Sequence, residues 1–87
     1  MNKRWDDKAW QDYVALQNED RKTLKRINSL IKDIERNGPD DGIGKPERLK
    51  HKDGWSRRID DVNRLVYTID KHGFLYIFHC KGHYDDK

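Results

Sequence analysis

The second half of the sequence carries an acid, a base and a cation that together suit phosphodiester chemistry. The carboxylate of Glu47 can accept a proton, and the imidazole of His83, with an ordinary pKa of about 6.5, can donate one. The guanidinium of Arg64, assisted by Arg58, presents paired donors to phosphate oxygens. Metal-free cleavage of RNA needs a base for the ribose 2′-hydroxyl, a cation for the charge at phosphorus and an acid for the departing 5′-oxygen. The residue types therefore predict general acid–base catalysis, with Glu47 as base, Arg64 as clamp and His83 as acid.

Each of these residues also has a simpler structural explanation. Glu47 has basic neighbours on both sides in the sequence, and this spacing alone favours a surface ion pair. An arginine that opens a strand can be a protective edge charge, and a histidine near a chain end is more often solvated than catalytic. Only the joint occurrence of the residues favours a site. The role of Tyr84 stays open between holding the phosphate, sharing the acid role and stacking on a base.

Metal and thiol chemistry have weaker support. His79, Cys80 and His83 form a His-Cys-x-x-His string, but a structural zinc site usually takes four ligands in two spaced pairs, and the sequence contains no second pair. Cys80 is the only cysteine, which excludes an intrachain disulfide and favours a reducing compartment. Cys80 also lies on a predicted strand whose pattern is otherwise that of a buried strand, which argues against a reactive thiolate. We therefore expect neither a metal nor another cofactor.

Composition predicts one small unit with a basic surface. The chain has 87 residues, of which 33% are apolar and 40% charged, enough for one thin core and a single domain over residues 1–87. The net charge is +3, and segment 45–64 alone holds seven Lys or Arg against four acids. With a second basic segment at 21–26, this distribution suits a polyanion. Apolar runs are too short for a signal peptide or a membrane span, so we expect a soluble, cytoplasmic protein.

Two helices are predicted in the first half. Asp6 or Asp7 can cap the first, and helical spacing predicts an inward face made of Trp10, Tyr13, Val14 and Gln17. Residues 18–20 break this pattern and offer a new cap, and residues 37–39, Asn-Gly-Pro, end the second helix. The apolar residues of the second helix recur at steps of three and four: Leu24, Ile27, Ile31 and Ile34. Two helices with so short a break form an antiparallel hairpin.

A sheet is predicted to cover the apolar face of this hairpin. After a short strand near residues 2–5, further strands are expected around 47–50, 55–60, 64–70 and 74–82. The last strand is apolar on both faces, which favours an interior position. The fold class is thus α+β, a helical hairpin packed on a twisted antiparallel sheet whose other face is free to act as a working surface. His83 and Tyr84 can share that surface only if the last strand has ended, which Gly82 makes easy.

Several strings of residues, in order, resemble the YoeB branch of the RelE-type toxins of bacterial toxin–antitoxin pairs. These strings lie at residues 5, 10–13, 26–34, 44–50, 55–60, 63–67 and 83–84, so the resemblance covers nearly the whole chain. It implies a RelE-like fold of the barnase type, and it implies a reaction. Family members enter the ribosomal A site and cut mRNA there without a metal, which inhibits translation.

The resemblance also implies roles for single residues. The catalytic residues would be Glu47 as general base, Arg64 as transition-state clamp, His83 as acid, and Tyr84 as a phosphate or base contact. Residues that would bind RNA are Lys50, Arg57 and Arg58. Two departures limit this transfer. The turn at 51–54 is shorter than is usual in the family, and Asp85-Asp86-Lys87 follow Tyr84, where many members end with a free carboxylate. The added acids could weaken catalysis, raise the pKa of His83 or point away.

The implied partners are polyanions and an acidic protein. The resemblance predicts mRNA and the rRNA of the ribosome as targets, and a YefM-like antitoxin whose acidic C-terminal tail covers the active site. It is compatible with a homodimer and gives no reason to expect a membrane partner. A runner-up function is a non-catalytic toxin of the same fold that acts on DNA gyrase. A third is a harmless nucleic-acid-binding module in which Lys and Arg supply affinity alone.

Overall fold

Two helices and five strands make up the computed structural model, which describes residues 1–85. The elements are β1 Lys3–Trp5, α1 Asp7–Glu19, α2 Arg21–Asn37, β2 Glu47–Arg48, β3 Trp55–Arg58, β4 Arg64–Ile69 and β5 Leu75–His79. The α+β class and the order of elements predicted from the sequence are confirmed. No helix within the described part of the chain is long and apolar enough to cross a membrane.

One residue, Asp20, both ends α1 and begins α2. Its backbone N–H donates to the carbonyl of Leu16, and its carboxylate accepts from the backbone N–H of Thr23 at 3.0 Å and from the Thr23 hydroxyl at 2.7 Å. Asp6 caps α1 by accepting from the backbone N–H of Lys8. Side-chain oxygens at these positions satisfy N–H groups that the first helical turn leaves unpaired. The helices are therefore joined by a single-residue break, as the hairpin requires.

The sheet has the strand order β1-β5-β4-β3-β2. Neighbouring strands are antiparallel except for β1, which runs parallel to β5 with Lys3 opposite Leu75. The sheet is therefore mixed, and the prediction of an antiparallel sheet holds for β2 to β5 alone. A parallel pair needs a long crossover connection, and here nearly the whole chain supplies it. β5 lies between β1 and β4, so its predicted interior position is confirmed. The edges of the sheet are the two shortest strands, β1 and β2, which limits the backbone available for unwanted strand pairing.

The core lies between the hairpin and one face of the sheet. Its buried apolar residues are Ala9, Ile27, Leu30, Ile31, Ile34, Ile59, Leu65, Tyr67, Leu75, Ile77 and Cys80. The predicted face of α2 is thus confirmed at its three isoleucines. The predicted face of α1 is wrong at Trp10, which is 48% exposed, and at Val14, which is 39% exposed, whereas Tyr13 packs against the core as predicted. The small side chain of Ala9 takes the inward position, close enough for its carbonyl to accept a bond from the Cys80 thiol at 3.3 Å.

A buried arginine, Arg57, anchors the segment that leads from α2 to β2. The side chain is fully buried, and each of its five guanidinium N–H groups has an acceptor. Nε donates to the Tyr67 hydroxyl at 2.8 Å, and Nη1 donates to the Asp33 carboxylate. The other acceptors are backbone carbonyls: Ile43 at 3.0 Å, Gly38 at 2.9 Å and Asp41 at 2.7 Å. We call Arg57 and these five acceptors the Arg57 cage. It gives loop 38–44 a fixed conformation although the loop has no regular structure.

Two glycines let this loop approach the cage closely. A Cβ atom on Gly42 would lie 1.8 Å from a carboxylate oxygen of Asp33, and one on Gly44 would lie 2.8 Å from a methyl group of Leu30. Both residues have positive φ, a region that other residues rarely adopt. The carbonyl of Gly44 then accepts from the backbone N–H of Arg58 at 2.7 Å, which brings the chain against β3 just before β2 begins.

Loss of the central guanidinium is expected to be strongly destabilising. In Arg57→Met, the Asp33 carboxylate and three carbonyls lose their donors, so the free energy of unfolding should fall by about 3–5 kcal/mol. Urea denaturation followed by tryptophan fluorescence measures this change. The matched control is Arg58→Met on the exposed side of the same strand, expected to stay within about 0.5 kcal/mol. Equal losses in both variants would contradict the role of the cage.

The cage also predicts a pH dependence of stability. The Arg57 guanidinium hydrogen-bonded to Asp33 holds the pKa of that carboxyl below its ordinary 3.8. Its contribution to stability is therefore complete above about pH 4 and is lost as the pH falls through the lower folded pKa. In urea titrations from pH 7 down to about pH 2, the stability difference between wild type and Asp33→Asn should be constant at first and shrink below about pH 4. A difference that does not change with pH would refute this account.

Candidate active site

A cleft on the sheet face opposite the helices gathers most of the residues predicted to do chemistry. Its volume is about 250 Å³. The side chains that line it are Glu47, Arg48, Leu49, Lys50, Ser56, Arg64, His83 and Tyr84. All four predicted catalytic residues and one of the predicted RNA contacts, Lys50, thus share one cavity, although they come from β2, the segment after it, β4 and the segment after β5.

Strand register explains how the cleft is built. Glu47 of β2 lies opposite Ser56 of β3, and Arg58 of β3 lies opposite Arg64 of β4. Paired residues in a sheet project from the same face, and alternate residues along a strand share that face. Glu47, Ser56, Arg58 and Arg64 therefore stand together on the open face. Arg58 is exposed beside the cleft without lining it.

The predicted RNA contact at Arg57 is wrong. Arg57 lies between Ser56 and Arg58 in β3, so its side chain projects from the other face of the sheet into the core. It is fully buried, and the Arg57 cage occupies all of its donors. Two adjacent arginines look alike in the sequence, and only the orientation of the strand separates the structural one from the exposed one.

The end of β5 is irregular in a way that seats the last residues on the open face. Val66 pairs with His79 while Tyr67 pairs with Ile77, so two residues of β5 oppose one residue of β4 in a β-bulge. Phe78 and His79 consequently both contact the ring of Tyr84, with centroid distances of 5.9 and 5.3 Å. β5 ends at His79, and Gly82 has φ 82°. The strand has therefore ended before His83 and Tyr84, which is the condition under which the two can share a site.

Tyr84 is held by an aromatic neighbour and a lysine. Its ring packs edge-on against Phe78, and its hydroxyl accepts from Lys52 Nζ at 3.4 Å. The same ammonium lies 4.3 Å from the centroid of the Phe78 ring, a favourable cation–π position. A cation is thus placed beside the phenolic oxygen at the edge of the cleft. Lys52 was not among the residues selected from the sequence, where its place in a turn gave no sign of this contact.

Arg64 is oriented by the turn that precedes it. Its Nη1 donates to the backbone carbonyls of Asp60 at 2.7 Å and Asn63 at 3.1 Å. The Asp60 carboxylate accepts from the side chain and backbone of Asn63, and these bonds lower the pKa of Asp60. In the described part of the chain Nε and Nη2 of Arg64 have no hydrogen-bond partner, which leaves donors for a phosphate in the cleft.

Glu47 does not form the surface ion pair that its neighbours suggested. Its neighbour Arg48 instead pairs with Asp53 at 3.2 Å and lies 5.1 Å from the centroid of the Trp55 ring. Within residues 1–85 no ion pair involves Glu47, and its side chain is exposed at the cleft. A carboxylate in this position can accept a proton.

The side chains of Cys80 and His79 form hydrogen bonds with backbone carbonyls. Cys80 is 2% exposed, and burial raises the pKa of its thiol to about 11, so it is not a nucleophile at neutral pH. A ring nitrogen of His79 donates to the carbonyl of Gly82 at 2.9 Å. Among residues 1–85 no group of three or more His, Cys, Asp or Glu could hold a metal ion.

Asp85 is exposed, whereas Asp86 and Lys87 lie outside the described residues, so the predicted influence of the terminal acids stays a prediction.

Sequence reasoning also missed Ser56 and Asn63, as well as Arg48 and Leu49 in the lining of the cleft. Ser56 lines the cleft opposite Glu47, and the alternation of β3 with the buried Arg57 would have located it once the strand orientation was known. Asn63 contacts both the Arg64 side and the His83 side of the cleft through its backbone and its amide. Its only sequence signal was its place directly before Arg64 in the string 63–67.

The chain matches known proteins over nearly its whole length. The model of the YoeB-like toxin of bacterial type II toxin-antitoxin systems matches residues 5–84. Toxin YoeB of Synechocystis sp. is 55% identical over 78 residues, covering 87% of this chain and 88% of that protein.

Solved structures give the same result. A chain of the YoeB-YefM complex from Staphylococcus aureus is 44% identical with a TM-score of 0.89, covering 97% of this chain and 98% of that one. The YoeB dimer from the same organism is 45% identical, with the same TM-score and coverage. The chain belongs to the YoeB-like toxins of bacterial type II toxin–antitoxin systems.

Proposed function

We propose that this toxin is a metal-independent endoribonuclease that cuts mRNA in the A site of the ribosome and so inhibits translation. The observation that carries the proposal is the cleft on the open face, which gathers a carboxylate, a guanidinium and an imidazole around one space of about 250 Å³. In the sequence, strands β3, β4 and β5 lie between Glu47 and His83, yet the fold brings both residues to the same cavity. This is the set of groups that cleavage next to a ribose requires.

The reaction follows from the roles of the side chains. Glu47 takes the proton of the 2′-hydroxyl, and the 2′-oxygen attacks phosphorus. As the bond from this oxygen to phosphorus forms, the bond from phosphorus to the 5′-oxygen breaks, and His83 protonates the departing oxygen. The products are a 2′,3′-cyclic phosphate and a new 5′-hydroxyl. The reaction needs Glu47 as the proton acceptor and His83 as the proton donor.

Positive charge around the cleft stabilises the transition state. Arg64 donates to the non-bridging phosphate oxygens through nitrogens that the turn carbonyls leave available. Lys50 lines the same cleft and Arg58 stands beside it, where both hold the RNA backbone. The Tyr84 hydroxyl accepts from Lys52, which leaves its own proton available for a phosphate oxygen. Tyr84 accordingly serves as a phosphate contact.

The natural regulator of this toxin is a YefM-like antitoxin. The related S. aureus YoeB is found in a complex with YefM and as a dimer, and this chain matches both structures closely. A disordered acidic tail that folds on binding can occupy the same basic cleft as RNA. Homodimerisation of the free toxin is proposed on the same ground.

The acid–base roles are tested in a reconstituted translation system, with primer extension on the mRNA and a chelator present. Glu47→Gln and His83→Ala should each lower the cleavage rate by roughly 10²–10⁴-fold, since each removes a proton-transfer group. Glu19→Gln and His72→Ala are the matched controls, as both residues are exposed and outside the cleft, and should cleave like wild type. Growth arrest with intact mRNA, or full activity of His83→Ala, would refute the assignment and favour a non-catalytic toxin.

Binding of the antitoxin should depend on the charge beside the cleft. Arg58→Glu reverses an exposed charge next to Arg64, so the association rate should fall roughly tenfold at low salt while the dissociation rate changes less. Surface plasmon resonance with the cognate YefM-like protein measures both rates. Arg36→Glu makes the same charge change at the far end of α2 and should behave like wild type. Equal losses in the two variants would show that only net charge matters.

A further inference from the structure

The side chain of Asn63 bridges the turn that carries Arg64 and the segment that carries His83. Its Nδ2 donates to both carboxylate oxygens of Asp60, at 3.2 and 2.9 Å. Its Oδ1 accepts from the backbone N–H of Gly82 at 2.7 Å. Both polar ends of the amide are thus used, which fixes its orientation. The side chain connects the turn before β4 to the segment after β5.

The backbone around Asn63 ties Arg64 to the same segment. The carbonyl of Asn63 accepts from Arg64 Nη1 at 3.1 Å, and the backbone N–H of Arg64 donates to the carbonyl of Gly82 at 3.2 Å. That carbonyl also accepts from the ring of His79 at 2.9 Å. Gly82 is therefore held at both its N–H and its carbonyl, directly before His83.

Gly82 needs this restraint. It has φ 82°, a conformation that costs glycine little, and a Cβ atom there would meet nothing within 4 Å, so packing does not hold it. Strand pairing does not reach this far, because β5 ends at His79. Hydrogen bonds from the Asn63 turn and from His79 are the contacts that keep the backbone of this residue in place.

We propose that Asn63 is a positioning residue that sets the spacing between Arg64 and His83. Asn63 itself touches no reacting atom. It holds the guanidinium through its carbonyl and the backbone before His83 through its amide. Misplacement of a catalytic group by about 1 Å can lower a rate by about 10²-fold. The inference rests on the proposed ribonuclease function for its catalytic consequence, but the tether itself can be measured without activity.

The chemistry of the Asp60–Asn63 pair allows a test by exchange of the two residues. Asn63→Ala removes the acceptor for Gly82. Asn63→Asp keeps an acceptor but sets a second carboxylate against Asp60 and removes the donor between them. In the double variant Asp60→Asn with Asn63→Asp, the amide of the first residue donates to the carboxylate of the second, whose other oxygen accepts from Gly82. The connection is then restored with donor and acceptor interchanged.

Cleavage kinetics give the first measurement. In the translation system kcat should fall about 100-fold in Asn63→Ala and in Asn63→Asp, with little change in KM, and the double variant should recover most of the loss. Asn37→Ala is the matched control, because the Asn37 amide also donates to an aspartate, Asp33, at 2.8 Å but lies away from the cleft. It should cleave like wild type. Full activity of Asn63→Ala, or a double variant no better than Asn63→Asp, would overturn the proposal.

Hydrogen exchange of the Gly82 amide, followed by NMR, gives the second measurement and needs no activity. Protection of this amide should be lost in Asn63→Ala, reduced in Asn63→Asp and restored in the double variant, with urea midpoints close to wild type. If wild type fails to cleave mRNA while this pattern holds, the proposed function fails and the tether stands. If Gly82 is equally protected in wild type and Asn63→Ala, the tether fails whatever the activity.

Discussion

The rest of the structure depends on the burial of one charged group, the guanidinium of Arg57. A buried charge is costly unless every donor is satisfied, and here the five N–H groups meet a carboxylate, a phenol and three backbone carbonyls. Those carbonyls belong to a loop that would otherwise have few partners. A chain that is 40% charged and 33% apolar thus builds part of its interior from polar contacts and gives loop 38–44 a single path into β2. Glu47, the first residue of β2, depends on that path for its position.

Along β3, side chains that stabilise the core alternate with side chains that face the cleft side of the sheet. In β3 the alternation of side chains sends Arg57 into the core and leaves Ser56 and Arg58 on the open face beside Glu47 and Arg64. Each residue of this strand therefore either packs into the core or faces the open side of the sheet. Tyr67 repeats the division in β4, because it accepts from Arg57 and donates to the carbonyl of Pro39 at 2.6 Å, while Arg64 in the same strand serves the open face.

Local signals predicted the helices, their caps and the order of strands, because helix faces and turn residues are encoded over a few neighbouring positions. The resemblance to toxins selected Glu47, Lys50, Arg64, His83 and Tyr84, which the structure brings to one cleft. Their roles in the reaction stay a proposal. Long-range contacts were not predictable in this way. Arg57 and Asp33 are 24 positions apart, and Asn63 and Gly82 are 19 apart, so no local pattern connects them. The predicted inward position of Trp10 on α1 was wrong for a related reason. Trp10 packs on Trp5 and Tyr13 at the side of the domain, and the small Ala9 faces the sheet instead.

The proposed base and the proposed acid are held in place by different kinds of contact. The base belongs to β2, which follows the Arg57 cage and pairs with β3, whereas the acid follows Gly82, a residue held by hydrogen bonds with no packed side chain. Segments held by few contacts open at lower free energy than the core of a fold. The spacing of base and acid is therefore controlled mainly from the His83 side, through Asn63, His79 and the aromatic contacts of Tyr84. A partner that displaces the segment after β5 would therefore move His83 away from Glu47 and Arg64 without disturbing the Arg57 cage.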